Sequence, residues 1–98
     1  MSDRELCKIA SGVRRGILGK QSSDRMCLAV CLPLQGYLSF FCRLETELVE
    51  GDFDHINHYW LKLPDGRILD PTADQFSTPE RPMPKVYLGP LPDWYKVA

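Results

Sequence analysis

The chain has 98 residues, 44% of them apolar and 26% charged, with a formal net charge of −1; these figures fit one globular domain over residues 1–98 and exclude a disordered or collagen-like polymer. So small a net charge also excludes a strongly basic nucleic-acid surface, and the six Lys or Arg among residues 1–25, set against three acids, read as the solvated face of a helix. The longest uncharged run, residues 26–42, is short for a membrane span and is interrupted by Pro33, Gln35, Gly36 and Ser39, so no membrane partner is expected.

The opening residues MSDRELCK hold no apolar signal core, which predicts a cytoplasmic protein whose Cys7, Cys27, Cys31 and Cys42 stay thiols. Ser2 and Glu5 make a capping-box pattern, and Leu6, Ile9, Ala10, Val13, Ile17 and Leu18 recur at helical spacing up to Gly19, predicting a first helix packed by one face. Residues 20–25 form a polar connector in which Ser23 or Asp24 is expected to cap a second helix from near Met26, with Cys27 in its first turn. Pro33 predicts that this helix either bends or starts later, because proline removes a helical hydrogen bond.

From Phe41 the apolar period changes to two: Leu44, Thr46 and Leu48 share one face and Arg43, Glu45 and Glu47 the other, up to Gly51, which predicts a strand with one wet side. Residues 56–63 form the next expected strand, with Tyr59, Leu61 and Leu63 on one face and Ile56, His58, Trp60 and Lys62 on the other. Residues 67–70 return, and 85–88 supply a fourth short strand after the proline-rich residues 79–84. Helices followed by an antiparallel sheet define an α+β fold, N-terminal helices packed on a small sheet.

The run HYWLKLPDGRILDPTADQF, residues 58–76, carries the chemistry. A three-residue loop Pro64-Asp65-Gly66, with Gly66 left-handed, sets Leu63 opposite Arg67 and Trp60 opposite Asp70. His58 then lies diagonal to Asp70 on one face, within reach of a hydrogen bond, whereas a two- or four-residue loop would put the two on opposite faces. A thiol at the start of a helix is the group such a pair could activate, since both the helix N-terminus and an imidazolium stabilise thiolate. Cys27, His58 and Asp70 then divide the work as nucleophile, general base and orienting acid, and the Cys27 N–H can contribute to an oxyanion hole.

The same run resembles the His-x-Trp, Asp-Gly and Asp-Pro-Thr segment of papain-like and transglutaminase-like cysteine enzymes, and MCLAVCLPLQGYL is similar to their nucleophile helix, over about residues 21–76. The resemblance implies a minimal papain-like or transglutaminase-like core without a cofactor. It implies Trp60 as the shield of the His58–Asp70 contact and Gln21, six residues before Cys27, as the oxyanion-hole glutamine. The activity implied is that of a cysteine hydrolase or acyltransferase on a protein, peptide or small amide or ester.

Other readings of the same residues stand beside this one. Cys31 is the rival nucleophile, or with Cys42 a core thiol. Thr72, Asp74 and Gln75 can serve as local hydrogen bonds of an Asp-Pro turn, and Trp94 and Tyr95 as packing residues. His55 and His58, with Asp52, Asp54, Cys27 and Cys31, are the candidate ligands of a small zinc protein. An adaptor module with a vestigial triad is the remaining alternative.

Overall fold

The computed structural model describes residues 1–53 and 55–98. Helix α1 (Asp3–Leu18) starts on the expected capping box: the Ser2 hydroxyl accepts from the Glu5 N–H at 3.1 Å, and the Glu5 carboxylate accepts from the Ser2 N–H at 3.4 Å. Leu6, Ala10 and Leu18 form its buried face. Arg14 departs from the expectation of a solvated basic face. Its guanidinium donates to both carboxylate oxygens of Asp74 at 2.6 and 2.9 Å and to the carbonyls of Pro71 at 3.2 Å and Lys85 at 2.9 Å, fastening α1 to the far end of the chain.

Helix α2 (Cys27–Cys42) is continuous through Pro33. The bond that proline removes would have used the carbonyl of Ala29, and both residues lie on the exposed side of the helix, where water can take that carbonyl. The buried side is Cys27, Val30, Cys31, Leu34 and Leu38. Neither Ser23 nor Asp24 caps the helix: Met26 is the N-cap without a side-chain bond, and the Ser23 hydroxyl instead donates to Asp74 at 2.8 Å. The helix ends on Arg43, whose φ is +52°.

The first strand therefore begins later than the period-two pattern predicts, as β1 (Glu47–Phe53), because the last turn of α2 takes Phe41 and Cys42. It pairs antiparallel with β2 (Ile56–Lys62), which pairs with β3 (Ile68–Asp70) in the expected register, Leu61 opposite Leu69. A 3-10 turn (Ala73–Phe76) follows, then β4 (Tyr87–Gly89), two residues beyond its expected start, and β5 (Tyr95–Val97), which periodicity did not reveal. The sheet order is β4-β3-β2-β1-β5, an α+β fold of two helices on a five-stranded antiparallel sheet.

Both faces of this sheet are buried. The helices cover Leu61, Leu63 and Leu69, while Phe53, Trp60, Ile68 and Tyr95 form a second core on the other face with Phe76, Met83, Tyr87 and Trp94 packed against it. Gly51 is required where β1 is squeezed between Trp60 and β5, since a Cβ there would overlap the Trp60 ring and the Lys96 carbonyl. Among the described residues, no helix is long and apolar enough to cross a membrane.

Candidate active site

The β2–β3 hairpin builds the centre of the site. Its loop closes with Leu63 N–H on the Arg67 carbonyl at 2.8 Å and Gly66 N–H on the Leu63 carbonyl at 3.0 Å, with Gly66 at φ +93°, a left-handed position that glycine adopts without strain. Asp70 thus falls opposite Trp60, and His58 reaches it diagonally: His58 Nε2 donates to Asp70 Oδ2 at 2.7 Å, with both side chains fully buried. The other carboxylate oxygen, Oδ1, accepts from the Thr72 N–H at 3.0 Å and from its hydroxyl at 3.5 Å. Oδ2 accepts a second hydrogen bond, from the Tyr95 hydroxyl at 2.6 Å.

Rings enclose the imidazole on several sides, with centroids of Phe76 at 4.9 Å, Trp60 at 5.8 Å, Tyr95 at 5.9 Å and Phe53 at 6.2 Å. Trp60 stands where the sequence places it, beside His58 and only 1% exposed. His58 Nδ1 is buried without a hydrogen-bond partner, and it is the nitrogen left for the thiol of Cys27.

Cys27 opens α2 and stands at the mouth of this pocket, 8% exposed. Burial alone would push its thiol up, but the facing His58 imidazole, the backbone N–H groups of Tyr59 and Leu28 and the imidazolium charge hold it below the usual thiol range. For His58 burial works against the charged form; the Asp70 hydrogen bond and the neighbouring thiolate outweigh it and raise the imidazole to about 9. The two shifts point the same way, toward a thiolate beside an imidazolium.

Cys31, one turn along the same helix, is unlike Cys27. It is fully buried, its thiol donates to the Tyr59 carbonyl at 3.6 Å, and burial drives it far above the usual thiol range. Such burial favours the protonated thiol. All four cysteines are unpaired.

Outside Cys27 opens a cleft of about 480 Å³, lined among others by Arg25, Leu28, Asn57, Tyr59, Gln75 and Phe76. Gln21 is not brought to it. The turn that ends α1 bonds Gln21 N–H to the Leu18 carbonyl at 2.9 Å and leaves the side chain exposed at a separate depression beside Arg14 and Lys20. The glutamine at the Cys27 cleft is Gln75, delivered by the 3-10 turn after Asp70-Pro71-Thr72. Its signal lay in the Asp-Pro-Thr-Ala-Asp-Gln run, whose polar residues read equally well as turn hydrogen bonds. Asp74 of that run is anchored by Arg14 and Ser23; burial would raise its carboxyl, but those hydrogen bonds hold it below the usual range.

The proposed zinc ligands described in the structure do not converge as one set. His55 sits exposed in a turn at φ +67° while His58 is buried against Asp70, and Asp54 lies outside the described residues. Among the described residues no three His, Cys, Asp or Glu side chains are grouped as metal ligands. Comparison of the chain with protein-family models, curated proteins and solved structures gave no match.

Proposed function

We propose that the protein is a cysteine-dependent hydrolase or acyltransferase that acts on an amide, ester or related acyl bond through a thioester on Cys27. The observation that carries this is the His58–Asp70 contact of 2.7 Å, closed off by aromatic rings, beside a thiol at a helix start that opens on a cleft. The order of Cys on a helix followed by His and Asp on successive strands accords with the papain-like and transglutaminase-like resemblance.

In the first step the Cys27 thiolate adds to the acyl carbon, forming a C–S bond and a tetrahedral oxyanion, and the His58 imidazolium then protonates the departing amine or alcohol as the C–N or C–O bond breaks. In the second, neutral His58 takes the proton of an incoming water or amine, which adds to the thioester carbon and expels the thiolate. Water completes hydrolysis, and an amine completes acyl transfer. The Cys27 N–H and the Gln75 amide are the oxyanion donors this reading assigns, the role first expected of Gln21.

The backbone favours an extended acyl chain. β3 stops at Asp70, opposite Trp60, so β2 continues toward Ile56 without that neighbour. Backbone groups on one edge of a strand come from alternate residues. Tyr59 already uses this edge to meet Cys31, which leaves the N–H and C=O of Asn57 for a peptide running along the cleft.

The test is the pH profile of iodoacetamide alkylation, with mass mapping, in the wild type and in His58→Ala. Cys27 is expected to react fastest, well below the pH of an ordinary thiol near 8.5, and to lose that advantage in the variant. Slow, uniform labelling of all four cysteines would leave the protein an adaptor with a vestigial triad.

A further inference from the structure

We propose that Tyr95 is a positioning residue of the His58–Asp70 pair, so that the docking of β5 completes the catalytic group. β5 lies at one edge of the sheet, next to β1, whereas Asp70 ends β3, two strands farther across. The Tyr95 side chain crosses the sheet face to close that distance. Its ring packs on Phe53 at 4.9 Å and Trp60 at 5.1 Å, and its hydroxyl donates to Asp70 Oδ2 at 2.6 Å.

A phenylalanine would supply the same packing. The hydroxyl has a separate use, since it shares with His58 Nε2 the single oxygen Oδ2, while Thr72 holds Oδ1. A carboxylate held at both oxygens cannot rotate about its terminal torsion, and so fixes the imidazole plane on which Nδ1 is aimed. The shared bond also draws charge from Oδ2, which moderates the carboxylate's pull on the imidazole proton. The other ionisable groups near the pair are Cys27 and Cys31 from α2, Tyr87 from β4, 6.4 Å from the Tyr95 ring, and Arg81 over the Phe53 ring at 5.1 Å.

The consequence for reactivity rests on the thiol reading proposed above; the effect on the imidazole does not. The experiment follows the His58 ring nitrogens by NMR through a pH titration of the whole protein, wild type and Tyr95→Phe, with Cys27 alkylation measured in parallel. In Tyr95→Phe the His58 titration is expected to move upward by about half a unit, roughly threefold in the proton equilibrium, and the alkylation profile to move with it. Identical His58 titrations in the two proteins would overturn the role. A His58 shift without any activated Cys27 in either protein would uphold Tyr95 and sink the hydrolase. Should Tyr95→Phe not fold, the Cζ resonance of Tyr95 in the wild type decides: it is expected to respond as His58 titrates, and indifference to that titration overturns the proposal.

Discussion

His58 is defined by what its two nitrogens are given: a carboxylate at 2.7 Å for Nε2 and no partner for Nδ1. Asp70→Asn keeps the shape but replaces an anion with a neutral amide, so His58 is expected to fall from about 9 toward its ordinary value and Cys27 to lose its low-pH alkylation, measured by the same labelling profile. The linkage to stability has a definite sign. The folded imidazole holds its proton more tightly than the unfolded one, so its contribution is fully present below pH 6.5, the unfolded value, and is lost as pH rises through about 9. The lowered Cys27 thiol contributes with the opposite sign over the same range, so denaturant unfolding across that window is expected to show a net loss smaller than about 3 kcal/mol, absent in His58→Ala. Much of this was legible: one loop length and one glycine set the diagonal of His58 and Asp70. Gln21 misled because sequence distance from Cys27 carries no information about the turn between them. Tyr95 was hidden because its partner lies 25 residues away on a strand that is not its neighbour.

At the scale of elements, local patterns sufficed where they carried their own signal and failed where a partner decided. The capping box fixed the start of α1, and the Pro-Asp-Gly loop fixed the β2–β3 register. β1 was misplaced because residues 43–46 alternate like a strand yet join no strand among the described residues, while β5, three residues long, is too short to show a period. Its place is set instead by Gly51, where any side chain would strike Trp60 and the Lys96 carbonyl. Gly51→Ala is therefore expected to cost about 1–3 kcal/mol, the range for overpacking a filled core, and to loosen β5 first, seen as faster amide exchange at Tyr95 and Val97. Arg14 acts between elements. Arg14→Met keeps the aliphatic stem but strips Asp74 and two carbonyls of their donor, and is expected to lower stability by about 2 kcal/mol, the scale of charged hydrogen bonds, in thermal or urea unfolding.

Over the whole molecule, the α+β order could be read because helical spacing gives way once, near residue 43, to alternation. The double-sided sheet could not, because its second cover comes from residues 76–95, whose prolines and isolated aromatics form no periodic pattern. Charge resolves partly into internal pairs: Arg67 joins Asp3 at 2.8 Å and Asp65 at 2.8 Å, and Arg14 joins Asp74 at 2.6 Å. An apolar surface lies open on the side of α2 away from the core, where Phe40 is 79% and Phe41 69% exposed. Phe40→Glu is expected to change stability by no more than about 0.5 kcal/mol, checked by urea unfolding.

The sheet order also fixes a sequence of events during synthesis, when the N-terminal part of a domain emerges first. Cys27, His58 and Asp70 leave the ribosome before β5 exists, and the hairpin that joins the imidazole to the carboxylate needs only residues 56–70. For that interval the face that later holds Phe53, Trp60 and Tyr95 is uncovered, and the carboxylate lacks the hydroxyl that completes its set of partners. On the proposed reading, a nascent chain would carry Cys27 before it carries the full set of groups that activate the thiol, and reactivity would wait until β5 has docked.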